Sequence, residues 1–158
     1  MERWIKPAFT VIGIEGAIGC EDATEDGFRI VGRLWAIANN AFDEVEHLAK
    51  RHPNGTLQGV WGAMSDCSRS FLPWEDDFTK GLYLASVEVR DDAQPPEGWV
   101  RWDVPGYEYL RAEIDNQFYF SRGIAYLRDH GIPLIGAAQE FTDLQNSKKY
   151  ICFPIRKL

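Results

Sequence analysis

The chain has 158 residues, 24 acidic against 17 basic side chains, a formal net charge of -7 and a sequence pI near 4.9. Its length fits one domain, residues 1–158, with a sizeable core. The acidity argues against nucleic-acid phosphate or an anionic membrane as partner, since both reward a concentrated basic face.

After a terminal arm, FTVIGIEG (9–16) is rich in β-branched residues and ends on glycine, the pattern of a strand. Glu21, Asp22, Glu25 and Asp26 then favour a helix start, where carboxylates complement the positive end of the dipole. Phe28, Val31 and Trp35, followed by Phe42, Val45, Leu48 and Ala49, recur at helical spacing, with a bend or interruption at Asn39-Asn40. His52-Pro53-Asn54-Gly55 ends that segment. TLQGVWGAMS (56–65) and GLYLASVEVR (81–90) are strand candidates, joined by a loop that carries Phe71 and Trp74. DDAQPPEGW (91–99) is turn chemistry and the natural seam. Beyond it come an aromatic strand, WVRWDVPGYEYL (99–110), and a helical stripe of Phe120, Ile124 and Leu127 that stops before Pro133. PLIGAAQEFT and KYICFPIRKL supply two more strands.

Each half therefore reads strand, helix, strand, strand, with pseudo-repeats at about 9–92 and 99–157. LQGVWGAMSD (57–66) matches LIGAAQEFTD (134–143) at an offset of 77, supporting duplication. The expected fold is α+β: a six-stranded, mostly antiparallel sheet with two helices packed on it about an approximate twofold axis.

Strand alternation puts Leu134, Gly136, Ala138 and Glu140 on one side, and the repeat sets Leu57, Gly59, Trp61 and Ala63 on the equivalent side. Small residues there leave a hollow lined by an indole and a carboxylate. A carboxylate withdrawn from water needs a cation, a hydrogen-bond donor or a proton. An organic cation meets that need, with aromatic faces adding about 0.5 to 2 kcal/mol each. The competing reading leaves Glu140 solvated or paired with a lysine or arginine at a strand end. Glu88 is a second mid-strand acid, read either as an outward-facing polar residue or as an acid-base partner of Glu140 across a cavity. Trp61, Phe71, Trp74, Tyr83, Trp99, Tyr109 and Phe141 are the candidate aromatic walls, against a plain reading as core.

Other signals point away from cofactor or metal chemistry. Glycines at 13, 16 and 19 do not form the dinucleotide fingerprint, and His47 and His52 do not share a helical face. Cys20, Cys67 and Cys152 are odd in number, far apart and without a CxxC, so no disulfide framework or zinc site is expected and a reduced, cytoplasmic setting follows. No signal peptide or membrane-spanning run is read in the chain. No cofactor and no metal are expected.

The VEV strand, the PPEGW seam followed by VPGYEYL, the GAAQEFTD strand and the terminal YICFPIRK resemble, in order and spacing, the GyrI-like effector-binding domains. These are small-molecule modules of AraC-type and MerR-type multidrug-sensing regulators, also found free-standing and on integron gene cassettes. The resemblance runs from about Phe9 to Lys157. It implies two strand-helix-strand-strand modules around an aromatic pocket for lipophilic, often cationic compounds, with the pocket glutamate at Glu140. Many members carry a tyrosine two residues later, where this chain has Thr142, so Phe141 or Tyr109 is the substitute wall. Only about eight residues precede the first expected strand, which implies a stand-alone binder without its own DNA-binding domain, acting alone, as a homodimer or with a regulator partner. Some free-standing relatives hydrolyse strained electrophiles, which makes Glu140 with Glu88 the alternative catalytic pair. A third reading is an interaction protein whose groove holds a protein segment.

Overall fold

The computed structural model describes residues 1–20 and 29–158. The predicted acidic helix start, Glu21, Asp22, Glu25 and Asp26, and Phe28 lie outside the described residues.

The strands are β1 (Glu2–Lys6), β2 (Phe9–Ile18), β3 (Val60–Ser65), β4 (Gly81–Val89), β5 (Val100–Val104), β6 (Tyr107–Glu113), β7 (Gln139–Asp143) and β8 (Lys148–Lys157). Between them lie α1 (Arg29–Asn40), the single turn α2 (Glu75–Phe78) and α3 (Tyr119–Asp129). The helix predicted through Ala49 stops at Asn39-Asn40 and continues only as 3-10 turns at Phe42–Glu44 and Glu46–Leu48.

All pairings are antiparallel, in one sheet ordered β1-β6-β8-β7-β3-β4-β2-β5. The sheet has eight strands where six were expected, for two physical reasons. The terminal arm Glu2–Lys6 finds an open edge beside β6. WVRWDVPGYEYL breaks at Pro105-Gly106, because proline fixes φ and supplies no ladder donor, so β5 joins β2 while β6 joins β8 and β1.

Exchanging β1–β4 with β5–β8 reverses the strand order and so leaves the sheet unchanged. WIKPAF (4–9) and WDVPGY (102–107) are the two matching junctions, and each sends its first strand onto the other half. They cross so closely that a Cβ on Gly106 would lie 2.9 Å from the Ala8 nitrogen. Pro154 sits inside β8, and the ladder with β6 skips a residue beside it, between Glu108 and Tyr109.

Three apolar clusters hold the sheet. Ile12, Val45, Tyr83, Ala85 and Val87 pack with Leu34 of α1, and Leu110, Ile151 and Phe153 pack with Leu127 of α3. The third, with Phe9, Val11, Trp61, Leu84, Trp102, Tyr109 and Phe141, occupies the face without helices. Trp61, Leu84 and Tyr109 there are fully buried, because the sheet, its crossed arms and the loop after β3 close over them.

The cysteines are a further correction: Cys20 and Cys67 form a disulfide, with Cys152 free and buried. Their separation of 47 residues hides the pairing in the sequence, whereas the β3-β4-β2 order brings the end of β2 beside the loop after β3. Among the described residues, no helix is long and apolar enough to cross a membrane.

Candidate functional site

The helix-bearing face carries separate clusters under α1 and α3, and the gap between them lies over the β3-β7 junction. A cavity of about 920 Å³ fills that gap, the size of a small-molecule site. Its walls come from both halves: Val31 of α1, Met64 of β3, Phe120 and Ile124 of α3, and Ala138 and Leu134 on the approach to β7. Asp77 and Arg128 are exposed at its rim.

The loop after β3 supplies the remaining wall through Pro73, Trp74 and Phe78. Trp74 lies flat on Gly81, where any Cβ would enter the indole, and its Nε1–H donates to the Leu82 carbonyl at 3.1 Å. Asp76, Asp77 and Phe78 have φ of 49°, 56° and 64°, a left-handed turn that side-chain sterics disfavour. Hydrogen bonds from Glu75 N to Lys80 O (2.7 Å) and from Thr79 N to Glu75 O (3.0 Å) hold it. The turn delivers Phe78 edge-on to Phe120, 5.2 Å between centroids.

Glu140 is half-buried on the floor. Tyr83 of β4 donates its hydroxyl to Oε1 at 2.8 Å and Tyr119 of α3 donates to Oε2 at 2.6 Å, one phenol from each half of the chain. Burial, followed by the charge of Glu140, pushes both phenols well above their ordinary range, so both remain protonated donors. Among the described residues no lysine or arginine pairs with Glu140. Gly62 lies directly opposite it in the ladder, and a Cβ there would stand 2.7 Å from Oε1 and would run into the Tyr83 hydroxyl. Beside this, the Gln139 side chain accepts from Met64 N at 2.8 Å and donates to Met64 O at 3.0 Å, pinning β3 to β7 where the regular ladder ends.

Of the residues singled out in the sequence, the structure brings Glu140, Tyr83 and Trp74 together. Trp61, Tyr109 and Phe141 lie on the opposite face; Trp61 and Phe141 stack there with centroids 4.6 Å apart. Phe71 also packs on that side, against Trp102 at 5.8 Å. Trp99 belongs to the cluster under α1 and donates to Glu44 at 3.3 Å. The offset of 77 explains the misplacement. It equates Ala63 with Glu140, but Gly62 is the residue that pairs with Glu140 and shares its face, so the alignment is one residue out of step. Glu88 likewise points to the helix-free face, into the cluster of Trp61 and Phe9, and does not meet Glu140.

Sequence reasoning missed Tyr119, whose position just ahead of the Phe120–Ile124 stripe was the available signal, and it placed Trp35 only in a stripe at helical spacing. No cluster of three or more metal-ligating side chains occurs among the described residues.

No protein-family model and no curated protein matches the chain. Solved structures with this fold include SAV2435 bound to tetraphenylphosphonium, 15% identical with a TM-score of 0.59, the match covering 98% of this chain and 93% of that one. A Staphylococcus aureus MU50 protein described in connection with bacterial transcription regulation is also 15% identical, with a TM-score of 0.56 over 98% of this chain and 97% of that one. At such identity the likeness is one of fold, and the chain shares that fold over nearly its whole length.

Proposed function

We propose that the chain binds lipophilic organic cations in the groove between α1 and α3, with Glu140 as the counter-charge. The observation that carries this reading is a carboxylate on the floor of a 920 Å³ cavity that is held by two phenols and by no protein cation among the described residues. Phenols orient a carboxylate and stabilise its charge without neutralising it, so the remaining attraction is available to a guest. Trp74, Phe78 and Phe120 offer aromatic faces to the apolar part of such a guest. An anionic ligand would meet Glu140 head-on, and a neutral one would gain no charge pairing from it. The tetraphenylphosphonium carried by SAV2435, which has the same fold, supports the choice of ligand class.

Isothermal titration with tetraphenylphosphonium tests the reading. Glu140→Gln keeps the side-chain shape and removes the charge, and a loss of about 2 kcal/mol, roughly 30-fold in affinity, is expected. Triphenylphosphine oxide, a neutral relative, should bind wild type and variant alike. Equal tetraphenylphosphonium affinity in the two proteins would rule out charge pairing at Glu140.

A further inference from the structure

We infer that Trp35, which does not line the groove, is a positioning residue for the cation site and acts through Tyr83. The inference rests on the proposed function and extends it to a residue outside the cavity wall.

Trp35 stands on α1, half-buried, with its ring edge-on to Tyr83, 6.4 Å between centroids at 78°. Its Nε1–H reaches the Tyr83 hydroxyl oxygen at 3.0 Å. An indole nitrogen can only donate, so the direction of this bond is fixed. The Tyr83 oxygen accepts from Trp35, and its single proton is thereby aimed at Glu140 Oε1, 2.8 Å away. The result is a one-way chain, Trp35 to Tyr83 to Glu140, met from the other side by Tyr119 on Oε2. Bonds in such a chain polarise and strengthen one another.

The arrangement has a mechanical side as well. Glu140 belongs to β7, whereas Tyr83 and Trp35 belong to β4 and α1 of the opposite half. A phenol alone turns about its C–O bond and can donate elsewhere; anchored by Trp35, it holds the carboxylate in one orientation towards the cavity. The four residues therefore brace α1 to α3 across the floor of the groove, with the carboxylate as the central link.

A double-mutant cycle with tetraphenylphosphonium as probe tests this. Trp35→Phe retains an aromatic ring and deletes the N–H; the expected loss of affinity is about fivefold, the scale of one net hydrogen bond. Triphenylphosphine oxide binding should not change. In a Tyr83→Phe background, Trp35→Phe should have no further effect on the phosphonium, because the hydroxyl through which it acts is gone. Independent, additive losses from the two substitutions would overturn the inference, since they would mean that Trp35 merely supports the wall. A second measurement uses the unaltered protein: the indole N–H resonance of Trp35, identified by its absence from Trp35→Phe, should shift as tetraphenylphosphonium is added, and an unmoved resonance would also overturn it. A full effect of Glu140→Gln with none from Trp35→Phe defeats this inference alone, whereas no effect from either defeats the proposed function too.

Discussion

Glu88 and Glu140 are carboxylates on neighbouring parts of one sheet, yet they point to opposite faces and are treated in opposite ways. Glu88 is 1% exposed and its charge is answered within the chain. Lys6 reaches its Oε2 at 3.1 Å, Lys50 stands 4.0 Å away, and Trp61 Nε1–H donates to Oε1 at 3.2 Å. The Lys6 ammonium also lies 4.7 Å from the centroid of Phe9 and 5.8 Å from that of Trp61. The helix-free face thus contains a cation held by aromatic rings and a carboxylate, and the cation is the protein's own. On the helix face, Glu140 has phenols in place of the ammonium and a cavity in place of a packed side chain. The contrast separates a structural carboxylate from one that can serve a ligand: what matters is whether the counter-charge arrives on the same chain.

The sharpest way to break that contrast is to remove the charge of Glu88. Glu88→Gln leaves the half-buried Lys6 without its main partner; breaking one side of a fully buried pair costs on the order of 3 to 5 kcal/mol, and the residual exposure of Lys6 puts this case near the low end. Urea unfolding should therefore show a large fall in stability. Combining it with Lys6→Met should restore much of the loss, because the ammonium left without a counter-charge is then gone. Glu140→Gln should cost far less, about 1 kcal/mol, the net worth of the one phenol bond that an amide NH2 cannot accept. If the two glutamate variants were equally destabilised, the assignment of one to structure and the other to ligand would fail.

Much of this frame is legible in the chain. Alternation and turn chemistry mark six strands and both long helices, and Glu140 stands out as an acid breaking an apolar run. The choice of face is not legible, because a one-residue error in a repeat moves every side chain to the other side of a strand. GLYLASVEV illustrates the difficulty. All nine residues of β4 are buried, so no polar alternation says that Tyr83 looks to the groove and Glu88 away from it. The aromatic excess misled for a related reason: Trp61, Phe141 and Trp4 stack, with Tyr109 tilted against Trp4, where the sheet curls on itself, a long-range event with no local signature. The terminal arm escaped notice because Glu2–Lys6 becomes a strand only through the edge that β6 offers. The Cys20–Cys67 bond depends on strand order in the same way.

A second test works on the geometry of Glu140 without touching its charge. Gly62→Ala would place a methyl group against the Tyr83 hydroxyl and Glu140 Oε1. The carboxylate can yield, but the Tyr83 ring must shift as a whole, since its Cζ would lie 2.8 Å from the new carbon and the ring is buried; the fold should survive at a cost of about 3 kcal/mol. The Tyr83–Glu140 bond should not survive, and cation affinity should fall about tenfold, the equivalent of roughly 1.4 kcal/mol. Calorimetry that found tetraphenylphosphonium affinity intact in a folded Gly62→Ala protein would mean that the phenol bond is incidental to binding.

Asp66 sharpens the comparison most finely, because it too lacks a cationic partner among the described residues and yet is no candidate for a ligand. It is 6% exposed and accepts four bonds: from the hydroxyls of Ser65 (3.0 Å) and Ser68 (2.6 Å) and from the backbone N–H groups of Ser70 (2.8 Å) and Leu72 (3.3 Å). Neutral donors thus occupy about all the acceptor positions a carboxylate has, whereas Glu140 receives two protein donors and faces a cavity. Burial raises the Asp66 carboxyl, but the bonds from Ser68, Ser70, Ser65 and Leu72 outweigh it and hold the group below its usual range. A depressed carboxylate contributes stability that is present above its unfolded value, about pH 4, and is lost as the pH falls through the lower folded value. Asp66→Asn should therefore cost about 1 kcal/mol at pH 7. The gap between variant and wild type should narrow on acidification below about pH 4. Tetraphenylphosphonium binding should weaken only as far as the loop carrying Pro73 and Trp74 loosens, so a loss as large as that from Glu140→Gln would show that donor count and cavity do not distinguish the two carboxylates.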